Sequence, residues 1–108
     1  MENLDRLSVE VTNADDEIVC VLIGEIDPHT GPYLGGEVRA ALFTSSAQSL
    51  TLDLAGVDFM DSSGLRVVIE IHKVMRERGG QLVLRHPTAT VSRLLEITNL
   101  SASLTIEP

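Results

Sequence analysis

From Ile18 to Ile97 the apolar residues switch repeatedly between the period of a strand and the period of a helix. That alternation restricts the fold more than any other property of the chain. Ile18–Ile23 is a continuous apolar run of the kind found in a central strand. Leu34, Val38, Ala41 and Leu42 fall at i, i+4, i+7 and i+8, which is one face of a helix. Leu50-Thr51-Leu52-Asp53-Leu54 alternates apolar and polar, as a half-buried strand does. Leu65 to Arg78 is helical, with Leu65, Val68, Ile69 and Met75 on one side and Val67, Ile71 and Val74 beside them. Gly79-Gly80 closes that helix, Gly being the residue that adopts a left-handed C′ conformation cheaply. Leu82-Val83-Leu84 is a further strand, broken at Pro87. Thr88–Ile97 is a short helix carrying Val91, Leu94 and Leu95. Ahead of this series, Leu7-Ser8-Val9-Glu10-Val11 alternates, and the turn Asn13-Ala14-Asp15-Asp16 folds it back on Ile18–Ile23 as a hairpin. Ser103–Ile106 adds a last short strand. Strands separated by helices require crossover connections. The expectation is one α/β domain over residues 1–108, its core about 7–106. Its mixed sheet starts with the hairpin, and its helices pack mainly on one face.

A chain of 108 residues with 44% hydrophobic content can bury a real core. Eight basic side chains against sixteen acidic ones give a net charge of −8, which repels nucleic-acid phosphates and anionic lipid. Tyr33, Phe43 and Phe59 leave little for base stacking. No nucleic acid and no membrane are therefore expected as partners. Met1 to Arg6 has neither the basic start nor the apolar stretch of a signal peptide. Cys20 is the single cysteine and cannot form an internal disulfide. Cytoplasmic residence is the expectation, with the redox role of Cys20 left open. His29, His72 and His86 have no carboxylate or cysteine at ligand spacing, so no metal is expected.

The segment Asp61-Ser62-Ser63-Gly64-Leu65 stands where a strand hands over to a helix. With Asp61 as N-cap, Ser62 is the first helical residue and faces outward, while Ser63 turns inward and supports the turn. Met60 then precedes the cap, placed either to staple onto Leu65 or to touch a partner, and Phe59 reads as core. The turn admits two readings. It is an ordinary cap, or it is a seat for a phosphate on Ser62, bringing about −1.5 to −2 charges and three acceptor oxygens. A helix N-terminus offsets part of such a charge, by about 0.3–1 kcal/mol at an exposed site, and Asp61 opposes it. Serine hydrolysis would want a Gly-x-Ser-x-Gly elbow and a paired histidine, which Asp-Ser-Ser-Gly does not supply. There is no P-loop and no Gly-x-Gly-x-x-G, so neither cofactor nor catalytic machinery is expected.

Gly24-Glu25-Ile26-Asp27-Pro28-His29-Thr30, followed by Phe59-Met60-Asp61-Ser62-Ser63-Gly64-Leu65, resembles the two motifs of the STAS domain, and closely those of bacterial anti-sigma factor antagonists. The similarity runs from about Val9 to Leu100. It implies that Ser62 is phosphorylated by an anti-sigma factor, a serine kinase of the histidine-kinase-like ATPase fold, and that Asp61 shapes its turn. It further implies partner switching. The unmodified chain binds the kinase and frees a sigma factor, the phosphorylated chain lets go, and a serine phosphatase resets it. Asp27, Met60, Asp61, Ser63, Gly64 and Arg66 are the residues expected at the partner surface. Arg66 departs from the commonest family pattern, which has Gly after the Gly-Leu pair. It sets a long cation beside the switch, able to pair with the phosphate or with an acidic partner residue. The alternative implied by the same resemblance is a scaffold subunit of a transporter or stress-signalling complex.

Overall fold

A computed structural model describes residues 2–4 and 6–108. The elements are β1 (Glu2–Leu4), β2 (Leu7–Ala14), β3 (Glu17–Ile26), α1 (Gly31–Phe43), β4 (Ser49–Met60), α2 (Ser62–Glu77), β5 (Gln81–Arg85), α3 (Ala89–Ile97) and β6 (Thr105–Glu107). The six strands lie in one sheet in chain order. β1, β2 and β3 pair antiparallel, and β3, β4, β5 and β6 pair parallel. Each parallel step is bridged by a helix, as parallel pairing demands. The expected hairpin and alternation are therefore present. β1 is an additional three-residue edge strand, too short to leave a pattern in the sequence.

Alternation along the strands sorts side chains between the two faces of the sheet. Ile18, Cys20 and Leu22 of β3 are fully buried with Leu50, Leu52 and Leu54 of β4 and with Leu82 and Leu84 of β5. α1 and α2 cover this face with Leu34, Val38 and Leu42 and with Leu65, Val68, Ile71 and Met75. At about 25 cal/mol per Å² of apolar area, this layer is the main source of stability. The opposite face carries half-buried Val19 and Val21 and a charged cover. There Thr51 donates to Glu17 at 2.9 Å, and Arg85 pairs with Glu17 at 3.8 Å and Glu107 at 3.2 Å.

Cys20 lies in the helix-covered layer with no exposed surface, and burial, then the charge of Glu37, pushes its thiol up to about 11. Thiolate is the reactive form. The native chain is expected to leave an aromatic disulfide reagent unreacted at about pH 8 and to consume one equivalent on denaturation. Prompt reaction of the folded chain would show that Cys20 is reachable.

Of the segment Ala55–Asp61, expected as a loop, residues 55–60 are instead the second half of β4, and Asp61 lies just beyond its end as the cap of α2. Against β3 the register runs Val21↔Asp53, then Ile23↔Gly56, and later Gly24↔Val57, then Glu25↔Phe59. At each step β4 gains one residue more than β3. Two bulges therefore convert the buried spacing from two to three, and Leu54, Val57 and Met60 point inward. The second bulge also turns Phe59 to the side of Glu25. It is 43% exposed, correcting the expectation that it is core. Beyond the end of β5, Thr88 caps α3 by accepting from Val91 N–H and donates its hydroxyl to the Val57 carbonyl at 2.9 Å. This ties α3 to the bulged stretch.

Candidate functional site

Parallel pairing of β3 and β4 brings their carboxyl ends together, with Ile26 opposite Met60. In open α/β sheets this edge is where sites gather. Here it places the two sequence motifs side by side. The Asp61 N–H donates to the Ile26 carbonyl at 3.3 Å, so the turn before α2 is hung on the end of β3.

Asp27, 34 residues before Asp61 in sequence, organises the first of these turns. One carboxylate oxygen accepts from His29 N–H at 2.9 Å, Thr30 N–H at 3.0 Å and the Thr30 hydroxyl at 3.2 Å, while the other takes the Arg6 guanidinium. The Gly31 N–H donates to the Asp27 carbonyl, opening α1. An Asp that bonds the backbone two and three residues on is the local device that starts such a turn. The Thr30 amide first, with His29 and Arg6, holds the Asp27 carboxyl below its ordinary value against the opposing effect of burial. Only 6% of Asp27 is exposed, and its carboxylate and carbonyl fix the entry of α1.

Arg6 reaches Asp27 because Gly24 lets the chain cross. At Gly24 φ is +125°, and a Cβ there would stand 2.1 Å from the Arg6 carbonyl oxygen. Any other residue would drive the β1–β2 turn away. The Arg6 carbonyl instead accepts from Glu25 N–H at 2.8 Å, and its side chain also pairs with Glu25 at 3.3 Å. This arrangement was invisible to local patterning, because it joins residues about twenty apart. The only signal was Gly24 interrupting an apolar strand.

Asp61 caps α2 as expected. One of its oxygens accepts from Ser63 N–H at 3.0 Å, Gly64 N–H at 3.2 Å and the Ser63 hydroxyl at 2.5 Å. The Ser63 hydroxyl first, then the Gly64 and Ser63 amides, holds this carboxyl below its ordinary value, and the nearby charge of Asp27 works the other way. Ser63 is thus engaged within the turn, half-buried, while Ser62 is exposed. Gly64 is buried, and a Cβ on it would stand 2.7 Å from Ile26 Cγ2 and 2.9 Å from Met60 Cγ. Met60 is 5% exposed. Its side chain lies inside the turn because the β4 bulges aim it at the core. Gly64, too, shapes this surface from beneath.

A groove of about 420 Å³ opens between α1 and α2 beside this turn. Gly31 and Gly35 line it from α1, and a Cβ on Gly31 would stand 3.2 Å from Val67 of α2, so small residues let the two helices draw close. Its charged residues are Asp27, Arg39, Arg66 and Glu70. Arg39 and Glu70 pair across it at 3.4 Å. Among the described residues the Arg66 side chain has neither ion pair nor hydrogen bond.

Residues 8–108 match the STAS domain family. The chain is 36% identical over 106 residues to the anti-sigma-B factor antagonist of Listeria monocytogenes, covering 94% of this chain and 90% of the relative. An anti-sigma factor antagonist from Mycobacterium paratuberculosis superposes with a TM-score of 0.85 at 24% identity, over 100% of this chain and 91% of the other. SpoIIAA of Bacillus shares the fold at 20% identity. Its unphosphorylated form matches with a TM-score of 0.80 over 94% of this chain and 89% of that one. Its phosphorylated form matches with a TM-score of 0.72 over 94% and 92%. The chain belongs to the STAS domain family. The Listeria relative and the Mycobacterium and unphosphorylated SpoIIAA structures carry the name anti-sigma factor antagonist. No helix among the described residues is long and apolar enough to cross a membrane.

Proposed function

We propose that this chain is an anti-sigma factor antagonist that works by partner switching in the cytoplasm, with Ser62 as phospho-acceptor. The observation that carries the proposal is the exposed Ser62 hydroxyl on a turn whose other parts are engaged: Asp61 by three donors, Ser63 by Asp61, Gly64 by packing. A modification there meets nothing in the fold and everything that docks. The unmodified chain binds an anti-sigma factor serine kinase of the histidine-kinase-like ATPase fold and thereby frees a sigma factor. The kinase then transfers the γ-phosphoryl of ATP to Ser62 Oγ. The P–O bond to the β-phosphate breaks, ADP leaves, and the hydroxyl proton passes to a base on the kinase. The modified chain dissociates, and a serine phosphatase returns it by hydrolysis. The chain is a substrate and supplies no catalysis. Its relatives' names support this reading, as does the existence of SpoIIAA in both forms. Ser62 and Arg66 present the surface, and Asp27, Met60, Asp61, Ser63 and Gly64 give it its shape.

Intact-mass spectrometry after incubation with the cognate kinase and ATP tests the assignment. The parent is expected to gain one phosphate and Ser62→Ala none. Equal uptake by both would move the acceptor elsewhere.

A further inference from the structure

We propose that Arg66 is an intramolecular clamp for the phosphate on Ser62, closing over it one helical turn along α2. The inference rests on Ser62 being the acceptor. The start of a helix is ordinarily a seat for a phosphate because its amides point at it unpaired. Here most of that seat is taken, only the Ser62 amide of the first turn lacking an acceptor among the described residues. The Ser63 and Gly64 amides already donate to the Asp61 carboxylate, and the Leu65 amide donates to the Asp61 carbonyl at 3.0 Å. A phosphate on Ser62 therefore meets a turn whose positive end has been answered by a carboxylate, with Asp27 close behind it, in a chain of net charge −8.

Beyond that one amide, a counter-charge must come from a side chain. The cations at the groove are Arg39 and Arg66, and Arg39 is held by Glu70. Asp27, the other acid there, is satisfied by Arg6 and by the Thr30 and His29 amides, so it makes no demand on Arg66. Arg66 is the surplus cation, exposed and unpaired among the described residues. Residues four apart on a helix have Cβ atoms about 5–6 Å from each other, and the order acid first, base second is the favourable one. Ser62 and Arg66 stand in that relation. The guanidinium fork matches two phosphate oxygens at once. Pairing favours the dianion, so the second phosphate proton leaves at lower pH than it would from an unclamped phosphoserine, whose value is about 6. The clamp also draws Arg66 out of the groove mouth, so the surface changes by more than the added charge.

Phosphoserine placed at position 62 by codon suppression, without any kinase, allows the test. Its ³¹P resonance is titrated in the parent, in Arg66→Gln, in Arg66→Lys and in Arg39→Gln. The parent midpoint is expected about 0.5 pH unit below that of Arg66→Gln, about threefold in proton affinity. Arg66→Lys is expected between them, Arg39→Gln at the parent value, and the difference should shrink in about 1 M salt, where screening acts over about 3 Å. Equal midpoints in the parent and Arg66→Gln, or a displacement that follows Arg39 instead, would overturn the clamp. Circular dichroism confirms the fold of each variant. Because the phosphate is installed directly, an error in the acceptor assignment appears in the kinase experiment and not in this one.

Discussion

Ser62→Asp is expected to fold as the parent does and to bind the kinase at least about tenfold more weakly. The side chain at this position is exposed and makes no hydrogen bond among the described residues, so a carboxylate there disturbs no internal contact. Its charge falls instead on whatever approaches. One acidic group of a partner about 4 Å away costs about 4 kcal/mol at an effective dielectric of 20. Each 1.4 kcal/mol is tenfold in affinity, so even a third of that cost meets the expectation. Ser62→Ala should bind like the parent, since it removes a hydroxyl and adds no charge. Isothermal calorimetry with the kinase, alongside far-ultraviolet circular dichroism, reads both. Unchanged affinity of the Asp variant would remove electrostatic repulsion as the basis of release, and loss of its fold would show that the turn is not indifferent to charge.

A second substitution should act through the interior. Gly64→Ala places a methyl group 2.7 Å from Ile26 Cγ2 and 2.8 Å from the Ile26 carbonyl oxygen, closer than real contacts allow. That oxygen is backbone and already accepts from Asp61, so it has little freedom to retreat. Overpacking of this kind costs about 1–3 kcal/mol, against about 1 kcal/mol gained from the better helix propensity of alanine. The chain is expected to lose stability in spite of that gain, with the start of α2 lifted from β3. Gly36 is the matched control. It sits exposed within α1 with nothing near its absent Cβ, so Gly36→Ala should stabilise by about 0.5–1 kcal/mol. Urea midpoints of opposite displacement are the expected pair. A Gly64→Ala chain as stable as the parent would mean that the α2 turn is looser than its packing indicates.

Much of this molecule is legible in local pattern, and the exceptions share a cause. The three helices follow from apolar spacing, and the start of α2 follows from Asp61, whose capping bonds involve only its immediate successors. The second half of β4 was not legible, because a period of two presumes one residue for one, and the two bulges break that correspondence. Phe59 leaves its expected place in the core for the same reason. Asp27 was identified by motif, but its burial and its bond to Arg6 depend on a crossing at Gly24 that no short window contains. What remained hidden was decided by strand register, a property of the folded sheet.

That crossing ties the amino end of the chain to the turn that stands beside Ser62. Trimming the polypeptide past residue 6 would strip a nearly enclosed carboxylate of its guanidinium and leave the start of α1 without its anchor. Affinity handles and fusions are therefore better kept away from residue 6.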